Sequence, residues 1–473
     1  MAKSRPTTRL NSRLSTLATP IALIGKDRKV VFFNRGCEEL TGWDAGLVIG
    51  SVCEYTTEGD PQTMRAMLGS LCPPPRAFEG EIVEGPAFLP RQSGRPVARQ
   101  LRYIPFRDDA GEVDCVMVIV SEIENTPAIS VASPAQRLHA ELTSLRAGLR
   151  QRFGVSTIIA QSERMLRVVE QVQIAIPARS ALLLEGEPGT GKEHIARVIH
   201  HEMTRAISRD HEFRQDAFVP LDCARLLPID LKRTLRRIFR AAADEDAETA
   251  LLPSVLPGTV YLKNVDAMPR DIQEFVVESM AEIPSGTRLR LIAGTAENLE
   301  SLVETDAIRS DFFYQISPLR ILLPPLRKRS EDFELLAQAL LERLNVGAER
   351  QLEGFSEEAW SELREYNWPG NLDELATVIE EAAASSQGAI IGKDDLPFRF
   401  RMGRDAQSVG PPVEPLPRPL EPYLEQIERE QIEWALEAAK HNKKKAADLL
   451  GLTRQKLYRR METLGLDAGI GDE

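Results

Sequence analysis

The apolar positions of this chain change period several times along its length, and each change marks a different kind of element. Near the start, PIALIGKDRKVVFFN reads as two short strands about a polar turn at Lys26–Lys29, and RGCEELTGW follows as a short helix. ARQLRYIPF and VDCVMVIVS then read as antiparallel strands split by the turn RDDAGE. Residues 18–122 are thus expected to form a small α/β unit after a tail at 1–17. Between 123 and 154, Leu138, Leu142, Leu145 and Leu149 are spaced four, three and four apart, the seam of a short coiled coil. A helix packed on its own domain fits the same spacing.

From 155 onward, SALLLE, AFVPLD, GTVYLKNV and RLRLIAG are short apolar runs separated by helical patterns, which predicts a parallel sheet covered on both faces over 155–330. A helical lid is expected over 331–400, followed by a linker at 401–422 whose PPVEPLPRPLEP stretch is too proline-rich to pack. Residues 423–473 then read as three helices. The whole is a multidomain α/β chain of roughly three domains, as 473 residues suggest.

Composition changes this picture in two places. The cysteines Cys37, Cys53, Cys72, Cys115 and Cys223 form no CxxC pair, which favours buried free thiols in a reducing cytoplasm over disulfides, a zinc site or redox sensing. With no run of 18 apolar residues and no apolar stretch after the basic MAKSRPTTRLNSR, neither a membrane span nor a secretory signal is expected. The net charge of −12 should repel nucleic acid, yet Lys440 to Leu466 carries eight cations against two acids. Such local asymmetry points to DNA.

The strongest chemical signal is GEPGTGKE: Gly186, Glu187, Pro188, Gly189, Thr190, Gly191, Lys192 and Glu193, set between the apolar ALLLE and the helical HIARVIH. Glycines let backbone N–H groups approach phosphates, and a lysine at this spacing reaches the outer ones. A nucleoside triphosphate is the expected ligand. The strand expected to carry metal-binding and water-activating acids reads GTVYLKNVD.

The first unit resembles a PAS domain in VVFFNRGCEELTGW, where Asn34, Leu40, Thr41 and Gly42 match the pattern. That family holds haem, flavin, a small ligand or nothing, and no histidine precedes His139 to serve as an axial ligand. From Ile158 to Pro397 the chain resembles the AAA+ domain of NtrC-like activators of sigma-54 RNA polymerase, through GEPGTGKEHIARVIH, AFVPLDCA, PGTVYL, IRSDFFYQI, LPPLRKRSED and NWPGNLDEL. The C-terminal HNKKKAADLLGLTRQKLYRRM resembles a Fis-type helix-turn-helix.

The departures from that resemblance cluster at the chemistry. The positions of the family's Walker B acids hold Lys263 and Asn264, which neither bind Mg²⁺ nor polarise water. The switch asparagine falls at Asp222, the sensor asparagine at Ala296 and the lid arginine at Asp373. Of two arginine-finger positions, one is Arg309, a candidate inter-subunit residue, and the other is Gln315. Asp266 is discounted as a replacement acid, because an odd spacing from Lys263 would send it to the other face of a strand. LKRTLRRIFRAAADEDAETALLPSVLPGT stands where the family carries its sigma-54 contact loop, GAFTGA, and has no such sequence. The implied module binds ATP with weak or absent Mg²⁺, Lys263 supplying counter-charge, and does not hydrolyse it efficiently. The alternatives are a working sigma-54 activator with divergent motifs and a protein-interaction adaptor.

In the C-terminal unit, Asn442 is an N-cap candidate, Ala446, Ala447, Leu449 and Leu450 are expected inward, Gly451 makes the turn, and Thr453 caps a third helix with Leu457, Met461 and Leu464 inside. Ile427, Ile432, Leu436 and Ala439 are the expected inner face of the first helix. Arg454 and Gln455 are then placed to read base edges, with Lys443, Lys444, Lys456, Arg459 and Arg460 on phosphates. The expected partners are a double-stranded operator, a second copy or more of the chain, and RNA polymerase, not necessarily through sigma-54.

Overall fold

The computed structural model describes residues 14–92, 96–123, 133–153, 155, 157–178, 180–207, 217–243, 257–283, 287, 289–408, 428–429, 431–436, 438–439, 442–464 and 466. They divide into two units, at Met1–Arg404 and Asp405–Glu473. The expected Pro-rich linker and Ile427 lie outside the described residues.

The first unit opens with a five-stranded antiparallel sheet of order β2-β1-β5-β4-β3, made of β1 (Ile21–Gly25), β2 (Val30–Phe33), β3 (Val83–Leu89), β4 (Val97–Arg107) and β5 (Val113–Ser121). β3 alternates buried and half-buried residues along VEGPAFL, so one face meets the helices while the other is wetter. Sequence reading missed this strand, whose Gly85 and Pro86 hide the alternation. Asn34 caps the helix Arg35–Thr41: its Oδ1 accepts from Ile21 N (2.9 Å) and Cys37 N (3.0 Å), and its Nδ2 donates to Thr19 O (2.8 Å). Asn34 is therefore a buried structural brace in this PAS-type sheet.

The second sheet has the order β10-β6-β9-β8-β7 and is parallel throughout. Its strands are β6 (Leu182–Glu185), β7 (Ala217–Asp222), β8 (Pro257–Lys263), β9 (Arg290–Thr295) and β10 (Leu319–Leu322). Every residue of β9 is buried, as a central strand covered by helices on both faces requires. The lid follows as helices Ser330–Leu344, Glu357–Glu365 and Asn371–Ser385, with a small parallel pair, β11 (Gly354–Phe355) and β12 (Ile390–Ile391). A further helix, Phe398–Ser408, runs past position 400.

The leucine seam of the connector helix Pro134–Phe153 is used inside the chain. Leu138 and Leu142 are buried in the lid core beside Phe333 and Leu341, and Leu149 is buried in the core of the nucleotide-binding sheet. This corrects the coiled-coil expectation: within this one chain those apolar side chains already have a partner.

The same helix joins a polar network between the first sheet's domain and the lid. Glu342 is 1% exposed. Its Oε2 accepts from Thr57 N and Oγ1 (both 2.8 Å), and its Oε1 meets His139 Nδ1 (2.9 Å) and Gln338 Nε2 (3.0 Å). Tyr55 N donates to Gln351 Oε1 and Tyr55 O accepts from Asn345 Nδ2, each at 2.8 Å. Arg76 grips the buried Glu353 with two hydrogen bonds of 2.8 Å. Tyr55 also stacks on His139, with ring centroids 4.3 Å apart. Burial would push the His139 pKa down, but the Glu342 carboxylate outweighs it and raises it; burial would raise Glu342, and His139 instead holds it low.

In the second unit, Ile432, Leu436, Ala439, Ala446, Ala447, Leu457, Met461 and Leu464 form one core. Leu449 is 59% exposed, against the inward position expected for it. It sits at the end of the helix Lys443–Leu449, where the chain is already turning into Gly451, which has φ of +66°.

Candidate nucleotide site and DNA-binding surface

β6 is buried over its first three residues and runs directly into the glycine-rich loop, which leads to the helix Lys192–Ile207. Gly186, Gly189 and Gly191 have φ of +146°, +75° and +96°, conformations an L side chain resists. A Cβ on Gly189 would sit 2.1 Å from Gly370 O, so the lid touches the loop backbone directly. Leu372 N donates to Gly189 O and Asn371 Nδ2 to Pro188 O, both at 2.9 Å, while Asn371 Oδ1 accepts from Leu326 N at 2.7 Å. Glu187 pairs with Arg327 at 2.7 Å, and that guanidinium pulls its pKa to about 2. Asn371 and Arg327 were not singled out from the sequence, although both lie in the quoted segments NWPGNLDEL and LPPLRKRSED.

Lys192 opens the helix Lys192–Ile207 and folds back on the loop: Nζ donates to Gly186 O (2.6 Å) and Glu187 O (2.9 Å). Its pKa is lowered to about 8, first by burial; nearby Lys263 lowers it further, while Asp266, Asp373 and Glu187 oppose. Thr190 Oγ1 donates to Glu187 O at 2.9 Å. Glu193 is turned away, in an i,i+4 pair with Arg197 at 2.7 Å.

β8 ends at Lys263, in register with Asp222 of β7 and Gly294 of β9. Among the described residues the Lys263 ammonium makes no ion pair. Asn264 leaves the strand at φ +52° and donates through Nδ2 to Asp222 Oδ1 at 2.9 Å. Where the resemblance expects a glutamate at 264 and an asparagine at 222, the chain has amide and carboxylate on the opposite strands, and the two meet.

The alternation argument against Asp266 fails, because the strand has ended. Asp266 lies in the 3-10 turn Val265–Ala267, and its Oδ1 accepts from Thr295 Oγ1 at 2.6 Å. That puts one carboxylate at the C-terminal edge of the sheet, within electrostatic reach of Lys192. Asp373 reaches the same region from the first turn of Asn371–Ser385. Ala296, exposed just after β9, lines a cleft of about 740 Å³ with Gly186, Glu187, Arg164, Arg167 and Lys328. The cleft shares Gly186 and Glu187 with the loop, and Lys192 does not line it. Arg309 is held by Asp311 (2.7 Å) and Glu274 (3.4 Å), and Gln315 lies on the adjoining helix Ser310–Ile316. In the stretch lacking the GAFTGA sequence, the helix Pro228–Ala243 buries Leu231, Leu235, Ile238 and Phe239; residues 244–256 lie outside those described.

In the second unit, Asn442 Oδ1 accepts from Lys444 N and Lys445 N (both 3.1 Å), and Thr453 Oγ1 from Lys456 N (3.4 Å). These caps start the two helices of the motif, Lys443–Leu449 and Arg454–Thr463. Lys443 and Arg454 both lie over the Tyr458 ring, at 5.1 and 5.6 Å from its centroid. Tyr458, unremarked in the sequence, gathers cations from both helices. Gln455, Lys456 and Arg459 are exposed. Arg460 is exposed as well and pairs with Glu428 at 3.2 Å.

Four family models match: a PAS fold at 14–126, a sigma-54 interaction domain at 158–322, an AAA+ ATPase lid domain at 327–410, and a bacterial regulatory protein of the Fis family at 423–464. The chain is 30% identical over 317 residues to the transcriptional regulatory protein ZraR of Escherichia coli, covering 64% of this chain and 68% of ZraR. It is 28% identical over 347 residues to the regulatory protein AtoC of the same organism, with 70% and 73% covered. Against the Nif-specific regulatory protein of Herbaspirillum seropedicae, identity is 30% and the chain spans 54% of that relative. Among solved structures, NtrX from Brucella abortus in complex with ATP matches at 21% identity with a TM-score of 0.40, covering 73% of this chain and 78% of that one. The chain belongs to the NtrC-like family of sigma-54 activator-type bacterial transcription regulators, with PAS, AAA+ and Fis-type helix-turn-helix domains.

Proposed function

We propose that this protein is a sequence-specific DNA-binding regulator whose AAA+ module binds ATP without efficient turnover and acts as a scaffold or nucleotide-gated switch. The observation that carries the reading is the end of β8, where Lys263 and Asn264 replace two acids and Asn264 is tied to Asp222. Lys263 stands close enough to Lys192 to lower its pKa, so a second cation occupies the strand end where the resemblance expects a metal-binding acid. ATP phosphates would be met by loop amides, Lys192 and Lys263, with little need for Mg²⁺. Copies of the chain would present Arg454, Gln455 and the neighbouring cations to a double-stranded operator, and contact with RNA polymerase need not run through sigma-54.

Phosphate release from ATP, measured beside Lys192→Ala, tests this. No Lys192-dependent release at high protein concentration is the expected result. Release that Lys192→Ala abolishes would overturn it. ATP affinity should also survive EDTA, and a strong Mg²⁺ requirement would remove Lys263 from its role.

One observation favours the rival reading of an ATP-hydrolysing sigma-54 activator. Asp266, held by Thr295, is a carboxylate at the sheet edge near Lys192. Turnover that is lost in Asp266→Asn would identify it as the replacement acid.

A further inference from the structure

Two of the five cysteines meet beneath the segment that docks the PAS domain on the lid. Cys53 opens that segment, and Cys72 is the C-cap of the helix Met64–Leu71. Cys72 Sγ donates to Cys53 O at 3.2 Å, which brings the two thiols into one buried cluster. Cys53 Sγ donates to Leu68 O at 3.0 Å. Arg28 Nη1 approaches Cys72 Sγ at 3.6 Å, while its guanidinium also lies 4.5 Å from the Phe78 centroid. The remaining cysteines, Cys37, Cys115 and Cys223, have no thiol partner of this kind among the described residues.

We propose that Cys53 and Cys72 form a dithiol that a peroxide-class oxidant converts to a disulfide, and that this oxidation frees the segment 53–57 from the lid. Cys72 is the attacking sulfur, because the Arg28 cation sits on it and a thiolate is the nucleophile. Burial raises the pKa of both thiols, yet the Cys53 thiol and Arg28 bring Cys72 below its ordinary value, whereas Cys53 is held well above. Arg28, whose Nη1 lies against Cys72 Sγ, is half-buried.

The Cys72 sulfur attacks one peroxide oxygen, the O–O bond breaks, and the departing hydroxide leaves as water with the thiol proton. Cys53 sulfur then attacks the sulfenic acid, the S–S bond forms, the S–O bond breaks, and the hydroxyl departs with the Cys53 proton as a second water. Two thiols lose two electrons in all, and the peroxide is reduced to two waters.

The structure makes this chemistry consequential for the lid. Disulfide formation removes both S–H donors, so Leu68 O and Cys53 O lose buried partners. Gly69 packs so closely that a Cβ there would lie 2.1 Å from Thr56 O, so the helix and the segment touch backbone to backbone. A shift at Cys53 therefore reaches Tyr55 and Thr57, whose bonds to Gln351, Asn345 and Glu342 are the docking contacts. The inference does not depend on whether the AAA+ module turns over ATP.

The test uses the full chain carrying Cys115→Ser, which removes the half-exposed thiol. Reduced protein is treated with hydrogen peroxide, alkylated and mapped without reduction, and amide exchange is followed at Tyr55 and Thr57. The expected result is a Cys53–Cys72 disulfide with at least a tenfold loss of protection at both amides. With Cys53→Ser added, Cys72 should stop at a dimedone-reactive sulfenic acid and the amides should stay protected. A folded protein that forms no such disulfide overturns the proposal, as does a disulfide that leaves the exchange unchanged.

Discussion

Glu342→Ala is the sharpest probe of how the sensor is coupled to the lid. The carboxylate is buried and takes four hydrogen bonds, from Thr57 N, Thr57 Oγ1, His139 and Gln338. Removing one partner of a buried ion pair costs about 3–5 kcal/mol, because the other charge stays behind without compensation. Taking the lower figure, about 3 kcal/mol is roughly a hundredfold in the docking equilibrium. Amide exchange at Tyr55 reads this cleanly, since its N–H donates to Gln351 and not to Glu342. Exchange there should speed up roughly a hundredfold if segment and lid separate as a unit. Glu163→Ala, which breaks an exposed pair with Arg167, is the control and should cost about 0.5 kcal/mol or less. If Tyr55 exchange in Glu342→Ala stays within twofold of wild type, the network is not what holds the domains together. The pair also sets a pH window. His139, raised from 6.5, contributes fully below that value and loses its contribution as pH rises through its folded pKa; Glu342, lowered from 4.5, contributes above that value. Protection at Tyr55 should therefore be greatest between those two values and fall on the alkaline side.

Three further outcomes follow from the geometry. Lys192, lowered to about 8, is neutral above that pH in the free protein, and phosphates would restore its charge; ATP affinity should fall as pH rises through 8, with proton uptake detectable by calorimetry in buffers of different ionisation enthalpy. Arg454→Ala should weaken binding to the specific operator by about 1–3 kcal/mol and relax base preference, whereas Arg459→Ala should weaken all sequences alike and flatten the salt dependence; equal effects of the two in a titration across salt concentrations would remove Arg454 from the base-reading set. Gly69→Ala drives a Cβ into Thr56 O and should expose the 53–57 segment to protease without unfolding the nucleotide-binding sheet.

Some of this was legible from the sequence because it depends on short-range chemistry. The glycine-rich loop, the two strands about Lys26–Lys29, the caps Asn442 and Thr453 and the buried face Leu457, Met461 and Leu464 are each set by residues within a few positions of one another. Local periodicity says which face is apolar. It does not say what covers that face, which is why the seam of Leu138, Leu142 and Leu149 was open to two readings until the lid and sheet were seen to cover it.

What only the tertiary structure decided lies in contacts between distant parts of the chain. Asp266 was discounted because alternation was carried past the end of β8; the left-handed Asn264 breaks the strand and turns Asp266 toward Thr295. Asn371 and Arg327 reach the loop from the lid, and Tyr55 and Thr57 meet Gln351 and Glu342 across separations of 296 and 285 residues. The sequence by itself determined the order of modules and where the glycine-rich loop and the cation-bearing helices fall along the chain. Closure of the lid and docking of the sensor decided which buried charges stand together, and the packed core of the sensor decided it for the thiols, because only close packing places such groups where each can change the other's chemistry.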